Sequence, residues 1–442
     1  MGVISLIIKN SLFWKEGEFV KGDLYIEKEV FSQKAEGKIL NLSGYYIMPG
    51  FVDSHAHVLG TGLKKIGIDF SDVEDKNTFL EKIKDPKLPI IFGRQWDDRK
   101  FFPNSEILDS VGKPLIMIRR CGHMALLNRK AMELFDIEER IIKEEKLQKI
   151  WKKITPMFLE EAFSLGEEEF LKHGVTFVHS DDMYGIGYED LLEVLKKSKI
   201  RIFEKLRLPV DDLKPEYFKE LSDRVTVKGV KIFMDGSLGA KTAYISGRYE
   251  DGSNGIKLLD DETVKQYLKF CDEHKILLNI HAIGDLAVHD MLKLLKDHSG
   301  HRIIHAQFML EEDMPFAKYA SFSVQPHFFY EDQELLKGLQ IKGLKYPFLE
   351  IYKNGIDISF SSDSPVSPCD PKYVLEHALK MGFDLATSIY LYTYAGARQV
   401  NMKTGKIEEG FKADFAVYER NPLKLDEDPV MVFVNGEIVW EK

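Results

Sequence analysis

A chain of 442 residues is too long for one small core and suits a barrel-sized domain with something added. With 44% hydrophobic and 30% charged residues it reads as a soluble globular protein, and no apolar run approaches the roughly 18 residues of a membrane span. A net charge of −10 leaves no basic excess to neutralise phosphates, which excludes a nucleic-acid binder; three scattered cysteines exclude a disulfide framework and a cysteine zinc site. No basic leader precedes a long apolar core in Met1–Lys9, so a cytoplasmic protein is expected.

In chain order, short β-runs come first: Ile4–Lys9, Glu18–Ile26 and Ile39–Ile47, which predict a small antiparallel sheet. The far end is β-like again at Ala413–Tyr418 and Val430–Val439, the latter with a hairpin turn at Val434-Asn435-Gly436-Glu437. Two β-rich ends around an α/β middle predict that residues 1–49 and 401–442 together form a small β-sandwich domain. Each end capping the middle separately is the alternative. Residues 61–165 do not alternate cleanly between strand and helix and read as a loop-rich insertion that walls a pocket, with a charged helical run at Glu139–Lys153.

From Glu167 the alternation is regular. Strands are predicted at Gly174–Val178, Ile200–Leu208, Gly229–Met234, Ile276–Ile280, Arg302–Ile304, Ser321–Val324 and Ile356–Phe360. Helices fall at Tyr188–Lys197, Asp261–His274, Leu286–Lys296, Val374–Met381 and Leu385–Gly396. With the strand before His55 there are eight strands, so residues 50–400 read as an α/β fold, a (β/α)8 barrel of the TIM type.

Barrel active sites form at the C-terminal ends of the strands. Those ends carry His55 and His57, His179, Lys231, His281, His305, His327 and Asp363. Side chains two apart on a strand share a face, so His55 and His57 can aim two imidazoles at one point. An isolated His-x-His is more often two ordinary histidines; the set of strand ends is what argues for a metal. Asp363 closes the last strand and can both ligate and take a proton from a metal-bound water. Lys231 cannot ligate as an ammonium. It must lose its charge or become an oxygen ligand, unless Asp235 supplies the oxygen instead. His179 reads as a loop-orienting residue, His301 is discounted, and His289, His298 and His377 fall on helical stretches. His327 faces substrate rather than metal. Trp96, Phe101, Phe102 and His123, with Phe328, Phe329 and Tyr330, wall an aromatic pocket or else pack the insertion onto the barrel. Arg94, Arg119 and Arg120 can hold a substrate carboxylate, with surface salt bridges the better reading for at least two of them.

Taken together, Pro49–His57, Lys231–Gly239, His281–Asp285, Ile304–Gln307, Ser362–Pro365 and Gly405–Asp414 resemble the amidohydrolase superfamily of metal-dependent hydrolases. The match is closest to the branch with the N-substituted formamide deformylases, amidohydrolase family 3. The resemblance spans nearly the whole chain in order. It implies a distorted barrel joined to a β-sandwich made of both termini. In the fullest metal arrangement His55, His57 and Asp363 hold one ion and His281 and His305 a second. A carboxylated Lys231 bridges them, since a carbamate is anionic and offers two oxygens. The segment between His123 and Gly174 looks shorter than in the branch, and no family substrate residue matches there.

The implied function is hydrolysis of a non-peptide carbon–nitrogen bond, amide- or formamide-like, in a small molecule. A metal-activated water attacks, and Asp363 passes its proton to the leaving nitrogen. Trp96, His123, Asp235 and His327 are the candidate substrate-binding residues. A divalent ion is the cofactor, one or two equivalents with zinc first among candidates, since these ligands also suit Mn, Fe, Co or Ni. The alternatives are a deaminase of an amino-heterocycle, an ester or lactone hydrolase, and a non-catalytic binding relative, which should have lost ligands. No nucleic-acid or membrane partner is expected, and a homodimer is left open.

Overall fold

Eight parallel strands form the middle of the chain: β1 (Phe51–Ala56), β2 (Val175–Ser180), β3 (Arg201–Leu206), β4 (Val225–Phe233), β5 (Leu277–Ala282), β6 (Arg302–His305), β7 (Ser321–Val324) and β8 (Ile358–Phe360). This computed structural model describes residues 5–84, 88–144, 146–298, 300–337 and 339–442. Ile4, the first residue of the expected Ile4–Lys9 run, lies outside them. Each barrel strand pairs in parallel with the next, from β1 through β8. Strands buried on both faces read as nearly unbroken apolar runs. All six residues of β2, Val-Thr-Phe-Val-His-Ser, are buried.

The seam between β8 and β1 is closed by side chains. Ser54 Oγ donates to the Phe360 carbonyl at 2.8 Å and lies 2.7 Å from Ser323 Oγ, while Ser359 Oγ donates to Ser54 at 2.9 Å. Both carboxylate oxygens of buried Asp53 accept the Ser362 N–H. At the top of the seam the Asp363 N–H donates to the His55 carbonyl and the His57 N–H to the Ser364 carbonyl. Closing the barrel therefore brings Asp363 beside the two histidines.

Helix α1 (Val58–Ile66) follows His57 and packs on α2 (Lys146–Lys172), which is kinked at Phe158 two residues after Pro156. The two helices approach through glycine. A Cβ on Gly62 would lie 1.6 Å from the Ala162 carbonyl oxygen, and one on Gly166 would lie 2.0 Å from that of Val58. The expected charged helix at Glu139–Lys153 is corrected: Ile141–Lys143 is a strand and the helix starts at Lys146. Most predicted helices recur, including Asp261–His274 with unchanged ends. The helix expected at Leu385–Gly396 is two, Leu385–Leu391 and Tyr394–Gln399. It breaks where the Tyr392 carbonyl accepts Val52 N–H and its hydroxyl reaches Asp53.

Residues 67–143 are also more ordered than expected. Strands Ile68–Asp69, Ile91–Trp96, Leu115–Arg119, Met124–Leu127 and Ile141–Lys143 form a five-stranded sheet with its own core of Phe70, Phe79, Trp96, Leu108 and Met117. Five strands from the start of the chain and three from its end form one eight-stranded sheet, joined where Phe415–Tyr418 runs antiparallel to Tyr46–Pro49. It is mixed rather than antiparallel, because Ser5–Lys15 pairs in parallel with both Lys38–Asn41 and Tyr46–Pro49. Beneath the barrel, fully buried Asp414 accepts from Arg201 at 2.9 and 3.2 Å, from Thr404 at 2.7 Å and from the Asn435 N–H at 2.8 Å. That cluster ties the C-terminal segment to the start of β3. No helix of the described residues is long and apolar enough to cross a membrane.

Candidate metal centre and substrate cavities

Three of the expected ligands converge. Asp363 Oδ1 lies 3.3 Å from His55 Nε2 and 3.4 Å from His57 Nε2, and one ligand atom of each residue lies within 4.8 Å of the others. Lys231, 1% exposed, stands with its Nζ 3.2 Å from His55 Nε2 and 3.8 Å from Asp181. The rings of His281 and His305 are 4.5 Å apart, and that of His305 is 5.4 Å from His55. All six residues expected to hold metal thus gather at one end of the barrel. His305 (φ 80°) and Asp363 (φ 56°) adopt left-handed backbone, a strain that functional sites often hold.

Hydrogen bonds orient each imidazole. His57 Nδ1–H donates to the Asp181 carbonyl at 2.8 Å, His281 Nε2–H to that of Gly236 at 2.9 Å, and His305 Nδ1–H to Gln325 Oε1 at 2.9 Å. Each bond assigns one nitrogen and leaves the other free for a cation. For His55 the partner is Lys205, whose Nζ sits 3.0 Å from Nδ1 and donates to the His179 carbonyl at 2.6 Å. Burial, with the charge of Lys231, pulls the Lys205 ammonium down to about 7 against the opposing pull of Asp181. In its neutral form it can accept Nδ1–H, which leaves Nε2 facing Lys231 and Asp363.

Burial pushes the Asp363 carboxyl up, but the His57 hydrogen bond and the charges of His305, His57 and Lys231 outweigh it, so it stays below the ordinary range and ionised. Burial holds His55 and His281 well below the usual imidazole value and His305 at about 4, so all three are neutral, as ligands must be. The Lys231 ammonium falls to about 8 through burial, with Asp181 and Asp363 acting in the opposite sense.

Two cavities open on this centre, sharing His123, His281, His305 and Asp363. The larger, about 600 Å³, runs past Trp151, Tyr184, Arg207, Leu258 and Tyr267. The smaller, about 60 Å³, is lined by Trp96, Arg119, Arg120, Phe328 and Glu331 among others. His123 sits between them and pairs with Glu144 at 2.9 Å. Burial lowers His123, and Glu144's charge and hydrogen bond more than reverse it, so the imidazole lies above its ordinary value.

Of the expected substrate-binding residues, His123 and Trp96 line cavities, although the Trp96 indole is committed to the Phe101 carbonyl and the insertion core. Asp235 and His327 do not. The Asp235 carboxylate is used up by the N–H groups of Tyr244, Ile283 and Gly284, at 3.0, 3.0 and 2.7 Å, which fixes the turn after His281. His327 is buried behind Phe328, its Nε2 3.2 Å from the Ser362 carbonyl. Of the aromatics, Phe328 lines the smaller cavity whereas Phe102 is exposed and Phe329 packs on Tyr346. Arg119 and Arg120 are ion-paired, with Asp98 and Glu331. Sequence reasoning missed Lys205, Asp181 and Tyr184; for Lys205 the signal was an acid and a base, Glu204-Lys205, inside a fully buried barrel strand.

Residues 38–440 match the model of the amidohydrolase family. The chain is 27% identical to the Bacillus subtilis (strain 168) protein YtcJ, over 92% of this chain and 91% of that one. It is 25% identical to the Arabidopsis thaliana protein LONG AFTER FAR-RED 3, over 94% and 84%. Among solved structures, a metal-dependent hydrolase of Pyrococcus horikoshii OT3 superposes with a TM-score of 0.81 at 26% identity, covering 95% of this chain and 98% of that one.

Proposed function

We propose that this chain, which belongs to the amidohydrolase family and is thereby a metal-dependent hydrolase, cleaves a non-peptide carbon–nitrogen bond, amide- or formamide-like, in a small molecule. The observation that carries the reading is the convergence of His55, His57 and Asp363 within 4.8 Å beside Lys231, His281 and His305. This donor set fits a divalent ion, zinc first. His55 and His57 through Nε2 and Asp363 through Oδ1 would hold one ion; His281 and His305, with the nitrogens their hydrogen bonds leave free, would hold a second. When bound, such an ion polarises a carbonyl and lowers the pKa of water.

The chain's own groups do the rest. Ionised Asp363 takes a proton from the attacking water and delivers it to the leaving nitrogen. His123, kept protonated by Glu144, donates to the bound substrate from between the two cavities. Lys231 suits carboxylation: a buried amine whose ammonium is destabilised to about 8 is partly neutral, can add carbon dioxide and offers the product's two oxygens between the ligand groups. Within this reading residues 1–49 and 401–442 act as a β-sandwich domain that carries the barrel of residues 50–400.

The test is elemental analysis of wild type, Asp363→Asn and Lys231→Ala, with assays on N-acyl and N-formyl amines. Two equivalents of metal in wild type, falling sharply in Lys231→Ala, together with amide turnover, support the bridged pair and the amidohydrolase reading. Ammonia release from amino-heterocycles without amide cleavage replaces it with a deaminase. Wild type that takes up no metal after growth with zinc or manganese rejects the centre altogether.

A further inference from the structure

Five arginines line the two cavities at the centre, and three are paired: Arg99 with Asp97, Arg119 with Asp98, Arg120 with Glu331. Arg207 is exposed and stacks on Phe233, which leaves Arg94, among the described residues, as the buried one of the five without an ion pair. It is 4% exposed and lines the larger cavity. Among the described residues its guanidinium has no hydrogen bond or ion pair, and its Nε is buried without a partner. The carboxylates that share the cavity wall are engaged elsewhere: Glu144 with His123 and Thr242, Asp363 with His55 and His57, Asp181 with Lys231. Asp211, at the rim, is exposed.

The space around Arg94 is built for it. Gly122 has φ +77°, and a Cβ there would lie 2.8 Å from Arg94 Nη2, so only glycine lets the guanidinium sit where it does. A second guanidinium, Arg207, stacks 4.4 Å over Phe233 on the same cavity wall. The rest of the wall mixes apolar side chains, Trp151, Met183, Leu208 and Leu258, with the polar Gln148 and Gln266. A buried charge without a partner is costly, and a planar guanidinium is shaped for a carboxylate's two oxygens. A ligand with an anion on a partly apolar body would complement this wall.

We propose that Arg94 is a carboxylate anchor. The substrate is then an amide carrying a carboxylate on an apolar frame, with its scissile bond at the His55–His57–Asp363 end of the cavity and its carboxylate on Arg94. This rests on the strand-end cluster being the amide-cleaving centre, but the anchor itself is tested by binding.

Zinc-loaded wild type, Arg94→Gln and Arg94→Lys are titrated calorimetrically with 4-phenylbutanoate and with the isosteric 4-phenylbutanamide. Wild type binds the acid about 100-fold more tightly than the amide, the size of effect a desolvated charge pair gives. Arg94→Gln brings the two within about threefold, and Arg94→Lys lies between. Equal binding of acid and amide by wild type, or an acid preference that survives in Arg94→Gln at unchanged zinc content, overturns the anchor. Hydrolysis of N-acetylphenylalanine and N-acetylphenethylamine separates the two readings. Turnover that ignores the carboxylate overturns the anchor and leaves the amide reading standing. Arg94-dependent binding of the acid with no hydrolysis of either amide does the reverse.

Discussion

The barrel buries charge at both ends, and the two ends treat it differently. Below, Asp414 meets Arg201, Thr404 and Asn435, all 1% exposed or less, and none of these groups is left without a partner. Against the effect of burial, Arg201 and the other donors hold the Asp414 carboxyl below its ordinary value there. Above, Lys231 and Lys205 crowd His55, burial drives all three towards neutrality, and Asp363 keeps its charge through its histidine neighbours and Lys231. A paired cluster stabilises and orients; in a crowded, half-compensated one a cation would satisfy several groups at once. The difference separates a structural joint from a candidate metal centre without reference to any relative.

The sharpest way to break the comparison is to remove a group from each end. At the top, Asp363→Asn should lower kcat on N-acyl amines by about 10³- to 10⁴-fold, the upper range for a general acid–base, with thermal midpoint and circular dichroism close to wild type. At the bottom, Asp414→Ala leaves Arg201 buried and unpaired and should cost about 3–5 kcal/mol in urea unfolding. Acid sharpens this case. Burial raises the Asp414 carboxyl, and Arg201 with the other donors lowers it further, so its folded pKa lies below the unfolded value. The stability it contributes is present above about pH 3.9 and is lost as pH falls through the lower folded value. Unfolding curves for wild type and Asp414→Asn should therefore converge only in strong acid; divergence that grows as pH falls would refute the assignment.

Smaller effects test the supporting groups. Lys205→Met should weaken metal binding roughly 10- to 100-fold in a chelator competition, as loss of an orienting partner does elsewhere, while leaving the ligands in place. Glu144→Gln should shift the alkaline limb of kcat/KM to lower pH and change its maximum only a few-fold. The sign follows from the pair. His123 lies above its ordinary value and Glu144 below, so their mutual stabilisation is fully present between about pH 4.3 and 6.5. It is lost as pH rises through His123's folded value or falls through Glu144's. An alkaline limb unmoved by Glu144→Gln would show that His123 does not need to be protonated.

The strand ends were legible because two simple periodicities coincide there. His55 and His57 alternate with Ala56 on extended backbone, and the runs before His281, His305 and Asp363 read as buried strands. The insertion was not. Its strands are short, and Ile141–Lys143 lies inside a charged stretch whose spacing also suits a helix. Asp235 and His327 misled for a common reason: a polar residue at a strand end can face the mouth or brace the turn behind it, and only the partners decide. The N–H groups that hold Asp235 come from residues 244, 283 and 284, which no local pattern relates. Lys205 was hidden because its partner His55 is 150 residues away.

The Arg201–Asp414 joint also bears on how the chain is made. Ribosomal synthesis runs from the N-terminus, so β3 and its arginine emerge more than 200 residues before the carboxylate that neutralises them. Until Asp414, Thr404 and Asn435 have been translated, the floor of the barrel carries an uncompensated cation that resists dehydration. The segment that carries Thr404, Asp414 and Asn435 thus acts as a latch, since it brings the arginine its carboxylate only after the barrel strands have been made.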